Sequence, residues 1–184
     1  MALSRADIFR GLAQEHSTAI ATYLRHRLYP LARADLDELV EDVLIVAWRR
    51  LDRIPKGSER PWLIGVARNV LRNSKRAHVR RSKAESSVAA TDDEPSAEMW
   101  VVASASIRDA MSQLTASDRD LLMMHHWEGL SAGDIAVVLG ISGKAAESRL
   151  LRARARFERA FEESSVQSCE SPVSNRPANR EEYQ

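Results

Sequence analysis

The sequence has 184 residues, and its 27 lysine and arginine residues nearly balance its 26 aspartate and glutamate residues. At about 100–200 residues per domain, this length allows one ordinary domain or two small ones. The formal net charge of +1 argues against a uniformly basic nucleic-acid binder, and 7 Gly with 6 Pro are too few for a turn-rich all-β fold. The lone Cys169 excludes an intramolecular disulfide framework and a cysteine-based zinc site, and it favours a reducing, cytoplasmic setting.

The charge is distributed in blocks along the chain. Residues 60–83 hold eight basic residues and no acidic one, and residues 85–98 hold five acidic residues and no basic one. Residues 144–159 hold six basic residues against two acidic ones. Local asymmetry of this kind indicates a polyanionic partner. A solvated helix face is the alternative explanation for either basic patch taken alone.

Composition divides the chain into two ordered pieces. We predict a small helical domain over residues 4–83, a flexible acidic linker over 84–103 and a second helical domain over 104–163. The last stretch, 164–184, is rich in Ser, Pro, Asn and Glu, and we predict that it is disordered. The predicted fold class is therefore all-α, and no uncharged apolar run approaches the roughly 20 residues that a membrane span needs.

The first piece has the apolar periodicity of helices throughout. One helix is predicted from Ile8 to Leu28. After Pro30, Asp35 or Asp37 can cap a second helix that runs to about Leu51.

The third predicted helix carries a regular row of arginines. Ser58 is its candidate N-cap, and its apolar stripe repeats at helical spacing. Four arginines recur every four residues on the opposite side: Arg68, Arg72, Arg76 and Arg80. Like charges at this spacing repel one another, so we favour a polyanion along this face over a plain solvated surface. Trp62 fits either the core or an aromatic platform for an unstacked base.

The second piece contains several short helices. Ser117 and Asp120 resemble a capping box for one of them, and Ser131 is the predicted N-cap of the next. Gly140 ends that helix and Ser142 caps the last one. The buried face of the last helix is predicted to hold Ala146, Leu150, Ala153, Phe157 and Phe161.

A short helix, a tight turn with glycine and a longer basic helix make a helix-turn-helix. In this motif the second helix enters the major groove of DNA and its N-terminal residues meet base edges. The candidates here are Lys144, Ser148, Arg149 and Arg152. Proteins that never touch DNA also use this geometry, but the basic second helix favours DNA binding.

Two sets of motifs resemble bacterial extracytoplasmic-function (ECF) sigma factors. The second half is similar to region 4 of that family in Asp118–Leu122, Glu128–Ser131, Leu139–Ser142 and Ser148–Arg154. The first half looks like region 2 in Asp37–Val43, Ala47–Leu51, Pro61–Leu63 and Ile64–Asn69. The resemblance covers about Phe9–Phe161, in the order that the family has.

The resemblance implies a dissociable subunit of bacterial RNA polymerase, controlled by an anti-sigma factor and acting on promoter DNA in the cytoplasm. Contact with the clamp helices of the β′ subunit would fall to Asp37, Glu38, Glu41, Asp42 and Trp48. Contact with the minus-ten element would fall to Arg53, Lys56, Ser58, Trp62, Arg68, Asn69, Arg72, Arg76 and Arg80. Region 4 would sit on the β flap and read the minus-thirty-five element through Lys144, Ser148, Arg149, Leu151 and Arg152.

The sequence departs from the family pattern at a few positions. Glu41 stands where the family usually has Gln, and Gly133 replaces a larger residue in the first helix of the helix-turn-helix. Residues 144–147 replace the usual Gly-Thr-Val-Lys and place an acid, Glu147, on the recognition helix. These differences bear on the promoter sequence that the chain would read.

An enzyme is not predicted, and neither is a cofactor. His125, His126 and Glu128 could suggest a metal site, but adjacent histidines point to different sides of a helix. The stronger alternative is a one-component regulator that binds DNA through the helix-turn-helix and does not recruit polymerase. Such a protein has no need for the motifs of the first half.

Overall fold

The computed structural model describes residues 4–85 and 105–170, and within these ranges the regular structure is helical, with no β-strand. The helices are α1 (Arg5–His26), α2 (Leu36–Arg49), α3 (Glu59–Glu85), α4 (Ala105–Ser112), α5 (Ala116–His126), α6 (Ala132–Leu139) and α7 (Gly143–Glu170). Short 3-10 turns precede and follow α2, at Arg33–Asp35 and Leu51–Arg53. The all-α prediction is confirmed.

Helices α1, α2 and α3 form the N-terminal module, in which each helix packs against the other two. Leu24, Val43, Ile64 and Ala67 are fully buried at its centre. Apolar side chains at i, i+3, i+4 and i+7 create one continuous stripe per helix, and burying these stripes against one another stabilises the bundle. This arrangement leaves the opposite face of each helix exposed.

Helices α4 to α7 form the C-terminal module, and the long α7 packs against the other three. Ala146, Leu150 and Ala153 are buried along one side of α7, as the periodicity predicts. Phe161 is different, because it is 37% exposed and stacks on Phe157 with ring centroids 5.9 Å apart. The predicted burial of Phe161 is therefore wrong.

Local capping sets where the helices of the C-terminal module begin. Ser131 and Asp134 form a full capping box at α6, and Gly140 ends the helix in the left-handed region at φ 64°, as predicted. At α5 the prediction is wrong, because Thr115 is the N-cap and its hydroxyl accepts from the Asp118 amide. Asp120 therefore does not take part in capping α5.

Two predicted boundaries differ from the helix ends. Helix α3 continues to Glu85, slightly beyond the predicted start of the linker, and the remaining linker residues lie outside the described ranges. Helix α7 continues to Glu170, although a disordered tail was predicted from Ser164. The Ser164 side chain is buried, and its hydroxyl donates to the Ala160 carbonyl at 2.8 Å. Residues 171–184 of the predicted tail lie outside the described part of the chain.

The two modules pack against each other through α3 and α6. Gly65 of α3 lies so close to α6 that a Cβ atom there would sit 3.2 Å from the Val138 carbonyl oxygen. Core residues of both modules belong to one continuous apolar cluster, which includes Ile64 and Ile135. In this conformation the modules are therefore in direct contact.

Candidate nucleic-acid and polymerase interfaces

The loop before α3 projects into solvent beside an open cleft. Arg53 and Lys56 are exposed, and Ser58 is half-buried directly before the first residue of α3. Gly57 adopts φ 79°, and its amide donates to the Glu59 carboxylate at 3.0 Å. The amides of Glu59 and Gly57 lower the pKa of that carboxyl below its ordinary value.

The cleft beside this loop lies between the loop and the first half of α1, with a volume of about 920 Å³. Its walls combine apolar and charged groups, including Ile8, Leu12, His16, Ile54 and Lys56. The cleft has room for a flat, partly polar group such as an unstacked base, and its walls offer both apolar and polar contacts. Trp62, by contrast, is half-buried and packs against the core.

The arginine row on α3 is divided by its surroundings. Arg72, Arg76 and Arg80 are exposed, and so is Asn69 beside them. Arg68 is half-buried, and its Nε atom donates to Oδ2 of Asp120 in the C-terminal module at 2.9 Å. Three of the four predicted phosphate contacts are therefore open to solvent in this conformation.

Arg68 belongs to a set of four charged residues between the modules, which we call the interface cluster: Arg27, Arg68, Asp120 and Glu128. Arg27 is buried at the end of α1 and donates to Oε1 and Oε2 of Glu128 at 2.7 and 3.1 Å. The Arg27 Nε atom also donates to Oδ1 of Asp120 at 2.9 Å. The two arginines thus hold both oxygens of Asp120.

The electrostatics of the interface cluster favour the charged forms of its members. Burial alone raises the pKa of Asp120, but Arg27 and Arg68 outweigh burial and lower it below its ordinary value. Burial alone lowers the pKa of Arg27, but Tyr23, Asp120 and Glu128 outweigh it and raise the pKa above its ordinary value. Because both partners are charged and mostly dehydrated, losing either one leaves the other uncompensated.

The recognition helix presents its predicted DNA-facing side to solvent. Lys144, Ser148, Arg149 and Arg152 are all exposed, and Leu151 is 69% exposed. This face lies at the N-terminal end of α7, directly after the turn at Gly140 and Ile141. The geometry is that of a helix-turn-helix whose second helix is free to enter a major groove.

The outer face of α2 combines acidic and apolar side chains. Asp37, Glu38, Glu41 and Asp42 are exposed along its first half. Ile45 and Trp48 continue the same face and are 46% and 40% exposed. Trp48 contacts the Phe9 ring edge-on with ring centroids 5.2 Å apart, so its indole borders an apolar groove of about 710 Å³ between α1 and α2.

A second apolar groove, of about 570 Å³, lies on the C-terminal module. Its apolar walls include Ile107, Met111, Leu122, Trp127 and Phe157, and its edge carries His126, Arg154 and Glu158. Trp127 is 41% exposed, so part of its indole is available at this groove. Exposed apolar surface of this kind marks a candidate interaction site.

Comparison with known proteins identifies the chain's relatives. Residues 12–81 match Sigma-70 region 2, and residues 104–157 match Sigma-70 region 4. RNA polymerase sigma factor NccH of Alcaligenes xylosoxydans xylosoxydans is 31% identical over 167 residues, which cover 86% of this chain and 89% of the relative. ECF RNA polymerase sigma factor SigL of Mycobacterium tuberculosis is 29% identical over 154 residues, covering 81% of this chain and 86% of the relative. The chain belongs to the ECF sigma factors. It is an alternative sigma factor that directs transcription initiation.

Solved structures share the fold of this sigma factor. CnrH in complex with the cytosolic domain of CnrY matches with a TM-score of 0.52 at 24% identity, covering 89% of each chain. The sigma factor RpoE of Bartonella quintana, in complex with the anti-sigma factor NepR, matches with a TM-score of 0.52 at 22% identity. That match covers 84% of this chain and 92% of the other. Within the described residues no helix is long and apolar enough to cross a bilayer.

Sequence reasoning missed the interface cluster of the sigma factor. The sequence places Asp120 and Glu128 in motifs shared with region 4, and otherwise suggests a helix cap for Asp120 and a metal ligand for Glu128, but it gives neither residue a partner in the N-terminal module. The His125 ring instead contacts the Leu130 carbonyl through Nδ1 at 2.8 Å, while Glu128 binds Arg27. Arg27 and Glu128 are 101 residues apart, so no local spacing connects them.

Proposed function

We propose that this sigma factor brings core RNA polymerase to promoters through three separate surfaces. The outer face of α2 binds the clamp helices of the β′ subunit, and the loop 53–58 with α3 binds and opens the minus-ten element. The N-terminal face of α7 reads the minus-thirty-five element, while the C-terminal module sits on the β flap. The observation that carries this proposal is the presence of two exposed basic helix faces together with a third, acidic and apolar face on α2.

The proposed minus-ten surface has one set of residues that binds phosphates and another that contacts bases. Arg72, Arg76 and Arg80 are exposed on one face of α3, where they can bind successive phosphates. Asn69 lies on the same helix, and Arg53 and Lys56 lie beside the cleft. A base that leaves the duplex would enter this cleft, because its volume and partly apolar walls can hold one.

The minus-thirty-five surface is suited to direct readout of bases. Arg149 and Arg152 can each offer two hydrogen bonds to a guanine, and Leu151 can contact a thymine methyl group. Glu147 is exposed on the same end of α7 and would accept from a cytosine amino group or repel a phosphate. The promoter sequence of this chain is therefore expected to differ from that of relatives without this acid.

We propose that an anti-sigma factor regulates the chain by covering some of these binding surfaces. The solved structures of CnrH and RpoE were determined with CnrY and the anti-sigma factor NepR, respectively. In the present chain, the groove that includes Trp48 and the groove that includes Trp127 would give such a partner one apolar contact on each module. We place the protein in the cytoplasm, and at the nucleoid when it is bound to polymerase.

Reconstituted transcription tests the proposal. The purified chain with core RNA polymerase should start transcription at promoters found by mapping transcription start sites after overexpression. Ile45→Glu should weaken core binding about ten-fold or more, because it places a dehydrated charge in the α2 face. Tyr29→Glu, which also puts an acid in place of an exposed apolar side chain but lies in the loop between α1 and α2, should leave core binding unchanged. Promoter binding without core binding or initiation would instead support the one-component regulator.

A further inference from the structure

We propose that Glu147 and Leu151 act together as a reader of two neighbouring groups in the major groove, an amino group and a methyl group. The inference rests on the proposed function, because it concerns the DNA-facing side of α7. Two arrangements of bases present these groups side by side: a cytosine next to a thymine on one strand, and a single 5-methylcytosine. Glu147 and Leu151 thereby set part of the minus-thirty-five sequence that this chain prefers.

The buried side of α7 fixes the direction of both side chains. Ser142 caps the helix by accepting from the Ala145 amide at 3.3 Å, and Ala146 and Leu150 are buried within the C-terminal module. Glu147 and Leu151 each follow one of these two buried residues. With 3.6 residues per turn, they lie about 40° apart around the helix and about 6 Å apart along it. Both are therefore on one flank of the exposed face.

The opposite flank of this face has a different chemistry. Arg149 and Arg152 lie across Ser148 from Glu147 and Leu151, and all five residues are exposed. Arginine suits phosphate oxygens and the two acceptors of guanine. A carboxylate beside a leucine suits neither of these groups. The flank with Glu147 and Leu151 therefore requires other groups on the DNA.

The Glu147 carboxylate selects cytosine. An acid that faces DNA is repelled by the phosphates, so it favours binding only where it accepts a hydrogen bond from a base. Amino groups of cytosine and adenine are the donors of the major groove. The adenine amino group stands beside the N7 acceptor, which repels a carboxylate, whereas the cytosine amino group stands beside the C5 carbon. Thymine is rejected, because its O4 acceptor replaces the amino group.

Leu151 supplies the apolar half of the reader. Its side chain is 69% exposed, the largest fraction among the large apolar side chains in the described part of the chain. The methyl group on C5 of a pyrimidine is the apolar group that the major groove offers. Base pairs follow one another at about 3.4 Å, so side chains one helical turn apart can reach the same base pair or two neighbouring ones.

Synthetic duplexes test the reader with the full-length chain, alone and with core RNA polymerase. A bound sequence is first selected from a pool of random duplexes, and its minus-thirty-five element is then rebuilt with altered bases. Thymine in place of the cytosine removes the amino group, and uracil in place of the thymine removes only the methyl group. A further duplex places 5-methylcytosine next to that uracil, which moves the methyl group onto the cytosine. Fluorescence anisotropy measures the affinity for each duplex.

The expected result is a separate loss for each group. In the parent, loss of the amino group should weaken binding about ten-fold, and loss of the methyl group should weaken it about four-fold. Glu147→Gln should reduce the first loss to about two-fold or less, because an amide both donates and accepts. Leu151→Ala should abolish only the second loss. Glu162→Gln, the same change at an exposed residue of α7 about four turns further on, should resemble the parent.

The duplex with 5-methylcytosine distinguishes the two arrangements of bases. Full recovery of the affinity lost with uracil means that one base carries both groups. No recovery means that two neighbouring bases carry them. Either result supports the reader, because the amino and methyl groups are then both required.

The reader is overturned if the parent has no preference for cytosine or for the methyl group. It is also overturned if Glu147→Gln keeps the full preference for cytosine over thymine, or if Leu151→Ala keeps the full response to the methyl group. Failure of the proposed function gives a different result. In that case the chain with core polymerase does not initiate on the selected duplexes, even where the free chain shows both base preferences.

Discussion

Helices α3 and α7 both carry arginines at regular helical spacing, yet their surroundings differ. On α3, Arg68 is half-buried against Asp120, and only the later arginines of the row are exposed. On α7, Arg149 and Arg152 face solvent, and Arg152 donates to the Ser148 carbonyl of its own helix at 3.2 Å. The same residue pattern thus provides a shielded surface on one helix and an open one on the other.

The difference follows from what lies beside each arginine row. Helix α3 contains Gly65 next to its apolar stripe, which allows α6 to approach and brings the acidic residues of the C-terminal module near Arg68. Helix α7 buries its apolar side within its own module, and Arg149 and Arg152 lie on its exposed side. A row of arginines at helical spacing therefore indicates a polyanion-binding face. On α3, the small residue Gly65 beside the row lets the C-terminal module pack close enough to engage Arg68.

The largest expected effect is on stability, and it comes from removing the buried guanidinium of Arg27, which holds Asp120 beside Arg68. Arg27→Met should lower the free energy of unfolding by about 3–5 kcal/mol, because Glu128 stays buried without its partner. Chemical denaturation followed by circular dichroism measures this loss. Arg10→Met, which removes an exposed pair with Asp7, should cost less than about 1 kcal/mol. Equal losses would contradict the importance of the interface cluster.

On the exposed face of α7, loss of an arginine should change how well the chain discriminates between bases. Arg152→Ala should reduce discrimination at one minus-thirty-five base pair by about 1–3 kcal/mol, measured as initiation from promoters changed at single positions. Arg159→Ala is the control, since Arg159 is also exposed on α7 and bonds to the carbonyl four residues earlier. An equal loss on every promoter would make Arg152 a phosphate contact instead.

A smaller effect distinguishes two members of the same row. In the free chain, Arg72→Ala should weaken binding to duplex DNA of mixed sequence and reduce the salt dependence by about one counterion. Arg68→Ala should not reduce it, because Arg68 is engaged with Asp120 in the free chain. Titrations at several salt concentrations measure both. A matching loss for Arg68→Ala would show that this side chain already reaches DNA.

Local features of the fold were predictable from the sequence because they depend on residues close together in the chain. The capping box of Ser131 and Asp134 and the left-handed Gly140 bracket α6 within ten residues. At α5 both Thr115 and Ser117 have a hydroxyl that could cap the helix. Thr115 is the cap and accepts from the Asp118 amide, while the Asp118 carboxylate accepts from Arg156 of α7, a contact between distant residues. Short-range patterns leave such choices open.

The contact between modules was not predictable, because its members are far apart in the chain. Arg68 and Asp120 are 52 residues apart, and Arg27 and Asp120 are 93 apart. The exposure of Trp48 was also ambiguous, since an aromatic residue at the edge of an apolar stripe fits the core and an interface equally well. Three-dimensional packing decides both questions.

The outward orientation of the recognition face of α7 has a kinetic consequence. If this face reads DNA as proposed, the encounter with duplex can begin while Asp120 still covers Arg68. The search for a promoter then proceeds in two steps, in which a first, reversible landing through α7 precedes commitment through α3. A wrong site can be abandoned after the first step, before the bond between Arg68 and Asp120 is exchanged for a phosphate contact.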